Sequence, residues 1–188
     1  MRYYELQDDV TIPNRWFVRE PVAGGAPPVR GNEFLRGTVI QHSGQFFAGL
    51  RRPGEPLDFT FADFGVPIVR RDIAERLGSL AEGDLQRIPV EIGGQSGAYD
   101  IINVVAVADC LNKKRSKITY WTEADGLPEK VGKCFSVIDP VIDPVRVGAH
   151  DVFRIAGWVP PIVVSERVAQ VLSGATGVII HPLESAGV

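Results

Sequence analysis

Histidine and serine side chains are the groups in this 188-residue chain that could support acid–base or nucleophilic chemistry. The three histidines, His42, His150 and His181, lie far apart and have neither HxH nor HxxxH spacing, so only the fold could bring them into a metal site or a triad. Ser43 and Ser96 stand beside glycines, but neither lies in the GxSxG turn of a nucleophilic serine. The sequence therefore predicts no catalytic residue, no metal ligand and no cofactor-binding residue.

Two short segments resemble ligand-binding motifs, but the residues around them favour structural roles. The glycine-rich segment 93–97 joins two strand-like runs, whereas a phosphate-binding loop leads from a strand into a helix. We therefore predict a hairpin turn at this position. The basic run 113–115 is followed by Glu123, Asp125 and Glu129, which predicts a solvent-exposed loop of mixed charge rather than a nucleic-acid site.

Length and composition are those of an ordinary globular protein. Hydrophobic residues make up 45% of the chain and charged residues 23%. The formal net charge of -3 disfavours a nucleic-acid partner, because such proteins neutralise phosphates with an excess of basic residues. We predict a single domain, 1–188, or two closely packed lobes at about 1–110 and 111–188.

The sequence also predicts the compartment in which the protein works. Its first residues are acidic rather than an apolar signal segment, and no apolar run is long enough to cross a membrane. We therefore expect a cytoplasmic protein without a membrane partner. Cys110 and Cys134 are expected to be buried, reduced thiols, with a disulfide between them as the alternative.

The elements that must position any site are arranged as a duplication. One segment starts at Asp58 and a second at Asp151. Each contains an aromatic residue, a proline before a β-branched run, one amphipathic helix, a glycine and a second β-branched run. We therefore predict two strand–helix–strand units.

The predicted fold class is α+β, with many strands in mostly antiparallel or mixed sheets. The two helices are expected at about 72–81 and 166–173, with Asp72 and Ser165 as their N-caps. Each helix has one narrow apolar face, so we expect both to pack on sheet faces.

Three further segments carry structural predictions. Residues 99–110 are apolar at nearly every position, which indicates a central strand covered on both faces. Residues 38–50 are predicted to form a hairpin around a Ser-Gly turn. The glycine and proline content of residues 20–32 predicts an exposed loop.

A polar loop with an aromatic residue, 121–130, is the best candidate for a binding surface. Tryptophan is a frequent anchor of protein interfaces, and acidic rims speed association with basic partners. We predict that Trp121, Glu123, Asp125 and Glu129 contact a protein partner. The alternative is that Trp121 covers the core at the end of a strand.

Seven segments that together span almost the whole chain carry a family resemblance. They are MRYYELQDD (1–9), RRPGEPLDFTFADFGVPIV (51–69), IPVEI (88–92), INVVAVADCLN (102–112), WTEADGLPEKVGK (121–133), HDVFRIAGWVPPIVVSERV (150–168) and TGVIIHPL (176–183). In their order and wording the chain resembles the myxobacterial-type immunity-protein domain family, which occurs beside polymorphic toxins in bacteria and was long described only as a domain of unknown function. None of these segments is a chemical motif, so the resemblance indicates a family rather than a mechanism.

The resemblance implies a non-catalytic, cytoplasmic protein that protects its producer by binding and blocking a co-encoded toxin, for which a nuclease is one candidate class. It assigns no binding residues. Two other interpretations stay open. One is a hydrolase-like enzyme whose site, with His150 or His181 and distant carboxylates, forms only in the fold. The other is a structural or oligomerisation domain with a self-complementary apolar surface, which would form a homo-oligomer.

Overall fold

The computed structural model describes residues 1–23, 29, 31–93 and 95–186, with side chains for all of these except 95–97. It is a strand-rich α+β fold with antiparallel and mixed sheets, which confirms the predicted class. In chain order the strands are β1 (Tyr3–Asp8), β2 (Phe17–Val18), β3 (Val22–Ala23), β4 (Phe46–Ala48), β5 (Leu50–Arg52), β6 (Phe59–Ala62), β7 (Val66–Arg70), β8 (Leu85–Ile92), β9 (Gln95–Val104), β10 (Val107–Ala108), β11 (Lys117–Tyr120), β12 (Cys134–Ile138), β13 (Val141–Ile142), β14 (Val152–Ile155), β15 (Trp158–Ser165), β16 (Val178–Pro182) and β17 (Glu184–Ser185). The α-helices are α1 (Arg71–Leu80), α2 (Pro144–Val147) and α3 (Glu166–Leu172), and short 3-10 helices cover Gly31–Leu35, Asp63–Gly65, Glu123–Asp125 and Pro128–Lys130.

Two sheets form the framework of the molecule. The larger sheet has the order β3-β4-β8-β9-β7-β6, and the smaller has the order β10-β14-β15-β1-β16. One pair in each sheet is parallel, β4 with β8 and β10 with β14, and the other neighbours are antiparallel. Three two-stranded pairs, β2 with β5, β11 with β12 and β13 with β17, lie outside the two sheets.

The duplication is visible in the strand order. In the first unit β6 and β7 form a hairpin, α1 follows, and β8 returns to the sheet with β9 between it and β7. In the second unit β14 and β15 form a hairpin, α3 follows, and β16 returns with β1 between it and β15. The two units therefore share one topology, but the first strand of the chain supplies the central strand of the second unit.

Asp58 and Asp151 occupy equivalent positions at the starts of the two units. The backbone N–H of Arg70 donates to the carbonyl of Asp58 at 2.8 Å, and the N–H of Ser165 donates to the carbonyl of Asp151 at the same distance. The side chains repeat the relationship, since Arg70 pairs with the Asp58 carboxylate and the Ser165 hydroxyl donates to the Asp151 carboxylate. The sequence repeat thus corresponds to a repeat of hydrogen bonds.

The first residue of each unit also forms a hydrogen bond with the turn that follows the helix of the other unit. The Asp58 carboxylate accepts the backbone N–H of Thr176 at 2.9 Å, after α3. In the opposite direction the Asp84 carboxylate, after α1, accepts the N–H of Asp151 at 2.6 Å. These reciprocal bonds hold the units against each other.

The hydrophobic core between the sheets is built by both units. Its buried residues include Leu77 of α1 and Leu172 of α3 together with Val104 of β9 and Leu6 of β1. Both long helices therefore pack on sheet faces, as predicted, and they contact each other between the two sheets. Because β1 lies in the smaller sheet, the alternative division into lobes at about residue 110 does not follow the sheets.

Segments outside the units cover the outer faces of the sheets. Trp16 and Phe34 pack on the larger sheet, where they are almost completely buried. Val137 of β12, Ile142 of β13 and Val147 of α2 pack on the smaller sheet. The segment between β9 and β14 is therefore both a cover of the core and a part of the chain that is not duplicated.

The central strand of the larger sheet is buried on both faces, as predicted, although β9 ends at Val104. Its Asp100 is 1% exposed and points toward α1. The carboxylate accepts from Arg71 of α1 at 3.0 and 3.1 Å and from Arg87 of β8 at 2.7 and 3.0 Å. Two arginine forks therefore neutralise one buried carboxylate and tie α1 to the sheet.

Of the two predicted N-caps, Ser165 is confirmed and Asp72 is wrong. α1 begins at Arg71 with Arg70 at the N-cap, so Asp72 lies inside the first turn, where its carboxylate pairs with Arg70. Ser165 does occupy the N-cap of α3, but its hydroxyl donates to Asp151 at 2.6 Å and makes no capping hydrogen bond. Asp72 thus pairs with a residue two positions earlier, whereas Ser165 bonds to Asp151 of a neighbouring segment.

One of the two predicted hairpins is confirmed. The segment 93–97 lies where β8 turns into β9, and the two strands are antiparallel, although Gly94 lies outside the described residues. The hairpin predicted over 38–50 is wrong, because β4 pairs with β3 and, in parallel, with β8. Ile40 forms no strand, and its backbone N–H and carbonyl bond instead to the side chain of Gln86.

The loop predicted over 20–32 is only partly correct. It contains the short strand β3, and Val29 is buried against the outer face of the larger sheet. Residues 24–28 and 30 lie outside the described part of the chain.

Candidate partner-binding surface

The predicted binding loop, 121–130, connects the strands of the β11–β12 hairpin. Ile118 and Val137 on one face of this hairpin pack on the core of the smaller sheet. The other face is turned away from the core. Function commonly resides in segments added to a structural framework, and the hairpin belongs to the segment that joins the two repeated units.

A β-bulge turns Phe135 out of the hairpin. Thr119 pairs with Ser136 and Tyr120 pairs with Cys134, so Phe135 has no partner across the two strands. A bulge bends its strand and redirects the extra side chain. The Phe135 ring is consequently 56% exposed.

Trp121 packs on the bulged Phe135 ring. The two ring centroids lie 4.6 Å apart with an angle of 81° between the planes, an edge-to-face contact. The Lys130 ammonium lies 4.7 Å from the Trp121 centroid, within the range of a cation–π contact. The backbone N–H of Trp121 donates to the Lys133 carbonyl, and its carbonyl accepts from the Gly132 N–H, both at 2.9 Å. These contacts hold Trp121 at the end of the hairpin, and it belongs to none of the three core clusters of described residues.

Large apolar side chains that are exposed to solvent are concentrated on this hairpin. Tyr120 is 46% exposed, Val131 41%, Phe135 56% and Ile138 59%. We call these four residues, together with the half-buried Trp121, the hairpin patch. Several exposed apolar side chains on one element are typical of a surface that binds another protein, and aromatic residues are enriched in such interfaces.

The hairpin and the residues just before it also contain all the lysines of the chain. All five lysines fall within 113–133, whereas the fifteen arginines are distributed along the sequence. The segment 112–139 holds six basic and four acidic residues, although the whole chain has a net charge of -3. The mixed charge that the sequence predicts from the basic run 113–115 and the acidic residues after it therefore extends along the segment to Lys133.

The three acidic residues of the predicted site differ in their surroundings. The Asp125 carboxylate accepts the Thr122 backbone N–H at 2.7 Å and the Thr122 hydroxyl at 2.8 Å, and these two bonds lower the pKa of Asp125. Together they cap the short 3-10 helix at the tip of the hairpin. Glu123 and Glu129 are exposed and form no ion pair with any described residue. Asp125 therefore shapes the loop, whereas the two glutamates are exposed to solvent.

A pocket of about 270 Å³ lies on the core-facing side of the same hairpin, against the turn from β14 to β15. We call it the hairpin pocket. Ile118, Tyr120 and Trp158 give it apolar walls, and Lys113 and Lys133 also line it. Of the described residues that line it, none is acidic. Tyr120 belongs to both the pocket and the hairpin patch, so the two features are continuous.

Both cysteines are free thiols, which is contrary to the disulfide alternative. Cys110 is buried as predicted, and burial raises its pKa to about 11. Cys134 is only half-buried, at the edge of the hairpin pocket, and burial raises its pKa as well. A raised pKa keeps a thiol protonated and therefore weakly nucleophilic.

The histidines lie in three separate parts of the described structure. His42 lies in the loop before β4 next to Ser43, His181 lies on β16, and His150 precedes β14. The side chain of Ser96 is outside the described residues. The fold therefore gives these residues different neighbours, and only His150 meets a carboxylate as the enzyme interpretation requires.

The carboxylate that meets His150 also joins the two units. One oxygen of Asp84 lies 2.6 Å from Nδ1 of His150, and the other accepts the backbone N–H groups of Asp151 at 2.6 Å and Val152 at 3.2 Å. The hydroxyl of Ser165, which also binds Asp151, is fully buried. The His150–Asp84 pair thus fixes the start of β14 on the turn after α1. It forms no hydrogen bond with the Ser165 hydroxyl, so the three side chains are not linked as in a Ser-His-Asp triad.

Two comparisons with known proteins were negative. No protein-family description matches the chain, and a search of curated proteins finds no match. Within the described ranges, no group of three or more His, Cys, Asp or Glu side chains comes together to hold a metal ion. None of the helices in the described part of the chain is long and apolar enough to cross a bilayer.

Proposed function

We propose that this protein binds a toxin made by the same cell and neutralises it by blocking the functional surface of the toxin with the hairpin patch. The observation that supports this most directly is the set of exposed apolar side chains on β11–β12, with Trp121 and Phe135 packed edge to face. Burial of such an apolar surface against a partner removes it from water and thereby makes the free energy of binding more favourable. The family resemblance of the chain supports a co-encoded toxin as that partner.

Occlusion requires an interface of ordinary size with a few strong anchors. A specific interface buries about 800 Å² on each partner, and a few aromatic or arginine residues supply most of its binding free energy. Trp121 and Phe135 are the anchors in this proposal. The loop 121–130 and the exposed face of the hairpin surround them with charged residues that form the rim.

The charges around the anchors favour a partner surface of mixed sign. Glu123 and Glu129 are free to pair with basic residues, such as those that bind phosphate groups in a nuclease. The lysines of the hairpin, in turn, need carboxylates on the same partner. The rim therefore sets the orientation and the rate of association rather than most of the affinity.

The test is co-expression with the product of the neighbouring gene, with survival of the host and direct binding as the two measurements. We expect the double variant Trp121→Ala, Phe135→Ala to lose protection and to bind at least about 100-fold more weakly, because two anchors are removed. Charge reversal is placed at Glu123 and Glu129, because reversal at Asp125 would also remove the cap of the tip.

The matched control is Phe47→Ala, which removes a phenylalanine that is 40% exposed on β4, outside the hairpin. This variant is expected to protect as well as the parent. Urea unfolding of each variant establishes that it is folded. Full protection by the folded Trp121→Ala, Phe135→Ala variant would exclude the hairpin patch as the binding surface.

A further inference from the structure

We infer that the hairpin pocket receives an apolar side chain of the protein partner that is accompanied by a carboxylate. This inference rests on the proposed function, because it names the chemistry of the partner segment at the same surface. It goes further in that it assigns the core-facing side of the hairpin, where the predicted contact residues do not lie. It also gives the lysines of the hairpin a specific role.

The size and walls of the pocket fit one side chain. Its volume of about 270 Å³ is below the range of about 300 to 1,000 Å³ typical of sites for cofactors and drug-sized ligands. Ile118, Leu111 and the Trp158 ring offer apolar contacts on several sides. An apolar side chain of the partner would displace water from these walls, as anchor residues do at protein interfaces.

The positive charge of the pocket indicates which group of the partner lies next to that apolar side chain. Lys113 and Lys133 form no ion pair with any described residue, although Lys117 on the same hairpin pairs with Asp139 at 2.6 Å. Two lysines in an otherwise largely apolar lining, with no acidic residue among the described lining residues, attract an anion and repel a cation. A carboxylate next to an apolar group satisfies both features.

The position of the pocket links it to the hairpin patch. Tyr120 lines the pocket, and the next residue is the anchor Trp121. The Trp121 N–H also donates to the carbonyl of Lys133, which is another residue of the pocket lining. A partner segment that crosses the end of the hairpin therefore reaches the patch and the pocket together.

The pocket is tested first without the partner, by titrating the protein with hexanoate, hexylammonium and 1-hexanol at constant ionic strength. The probe is the indole N–H resonance of Trp158 in the nitrogen-15 NMR spectrum, with that of Trp16, which is buried on the larger sheet, as the internal reference. Hexanoate is expected to shift the Trp158 resonance at lower concentration than hexanol, and hexylammonium is expected to be the weakest ligand.

Variants then test the role of the two lysines. Lys113→Met and Lys133→Met are each expected to weaken hexanoate binding about threefold and to leave hexanol binding unchanged, since each removes one partly exposed ionic contact. The matched control is Lys114→Met, which changes the net charge equally at a neighbouring exposed lysine that does not line the pocket. Equal binding of the three probes, or no response of Trp158, would overturn the inference.

Binding to the toxin separates this inference from the proposed function. Lys113→Glu with Lys133→Glu is expected to weaken toxin binding about tenfold, whereas Lys114→Glu leaves it unchanged. An anion-selective pocket in a protein that binds no toxin would refute the proposed function alone. Toxin binding that depends on Trp121 and Phe135 but not on the two lysines would refute the inference alone.

Discussion

Gly83 and Gly177 lie in the equivalent turns after α1 and α3, and both have a left-handed backbone, with φ of 84° and 96°. Their surroundings differ. A Cβ atom at Gly177 would lie 2.0 Å from the carbonyl oxygen of Phe59 and 2.9 Å from a methyl of Leu57, whereas one at Gly83 would meet nothing within 4 Å. The same backbone thus occurs once in open space and once at the contact between the two units.

This difference predicts unequal effects of alanine at the two glycines. Gly83→Ala is expected to lower the free energy of unfolding by about 1 to 2 kcal/mol, the usual penalty of a left-handed non-glycine residue. Gly177→Ala adds a clash with backbone and should lower it by more than about 3 kcal/mol. Urea unfolding at one temperature measures both values. Equal losses would show that the turn after α3 yields without affecting Phe59.

Asp151 links stability to pH. Its hydrogen bonds from Arg167 and, secondarily, from Ser165 lower its pKa in the folded protein, although burial opposes the shift. The carboxylate therefore stays ionised in the folded state at pH values where the unfolded chain takes up a proton. Its contribution to stability is complete above the unfolded pKa of about 3.9 and is lost as the pH falls through the lower folded value.

We predict that Asp151→Asn lowers the free energy of unfolding by about 1 to 2 kcal/mol at pH 7, because Arg167 lies largely in solvent and the pair is partly screened. Below about pH 4 the difference between the variant and the parent should shrink, since the parent carboxylate is then protonated on unfolding. Urea unfolding between pH 7 and pH 3 measures the trend. A difference that does not change with pH would contradict the assignment.

At the scale of the elements, the ion pairs at Asp100 hold α1 on the larger sheet. Arg71 and Arg87 are 35% and 31% exposed, but the carboxylate that they share is 1% exposed. Each arginine satisfies one oxygen, so either alone still leaves the carboxylate a charged partner. Loss of both would leave a buried charge without compensation, which is the most destabilising arrangement for an ion pair.

A double-mutant cycle measures this coupling. Arg71→Gln and Arg87→Gln are each expected to lower the free energy of unfolding by about 1 kcal/mol, and the double variant by more than about 3 kcal/mol. Asp100→Asn in the double-variant background should recover part of the loss, since it removes the buried charge. Additive single effects would show that Asp100 has another partner.

Which elements the sequence predicts depends on how local their causes are. The periodic apolar residues of α1 and α3 and the β-branched run of β8 determine those elements by themselves, and their positions are close to the prediction. The pairing of β4 with β8 is different, because it depends on residues distant in sequence. The predicted N-cap at Asp72 fails for a local reason, since its carboxylate pairs with Arg70 two residues earlier. A hairpin turn is a local signal that contacts across the fold can override.

The candidate site shows the same limit. Trp121 and its acidic neighbours stand out in the sequence, and the loop that contains them is exposed. The sequence does not predict that Phe135 is exposed, because a β-bulge without a local sequence signal turns its ring outward. The hairpin pocket is missed because its walls come from segments more than twenty residues apart, around Tyr120 and Trp158.

At the scale of the whole molecule, the two units form one hydrophobic core. Leu77 of the first unit and Leu172 of the second lie in the same hydrophobic cluster. The first strand of the chain, β1, lies between β15 and β16, which come from the C-terminal part of the chain. Neither unit can bury its helix without the other. Such an arrangement should unfold in one cooperative step, even though the topology is duplicated.

Two variants that each keep one tryptophan test this cooperativity. Trp121→Phe with Trp158→Phe leaves Trp16 on the outer face of the larger sheet, and Trp16→Phe with Trp121→Phe leaves Trp158 on the smaller sheet. Within each variant we expect tryptophan fluorescence and far-ultraviolet circular dichroism to give the same urea midpoint and the same slope. The comparison is made within a variant because replacement of the buried Trp16 itself lowers stability. If the smaller sheet were a separate lobe, Trp158 fluorescence would change at a different urea concentration from the circular dichroism signal, and the shared core between α1 and α3 would not be the unit of folding.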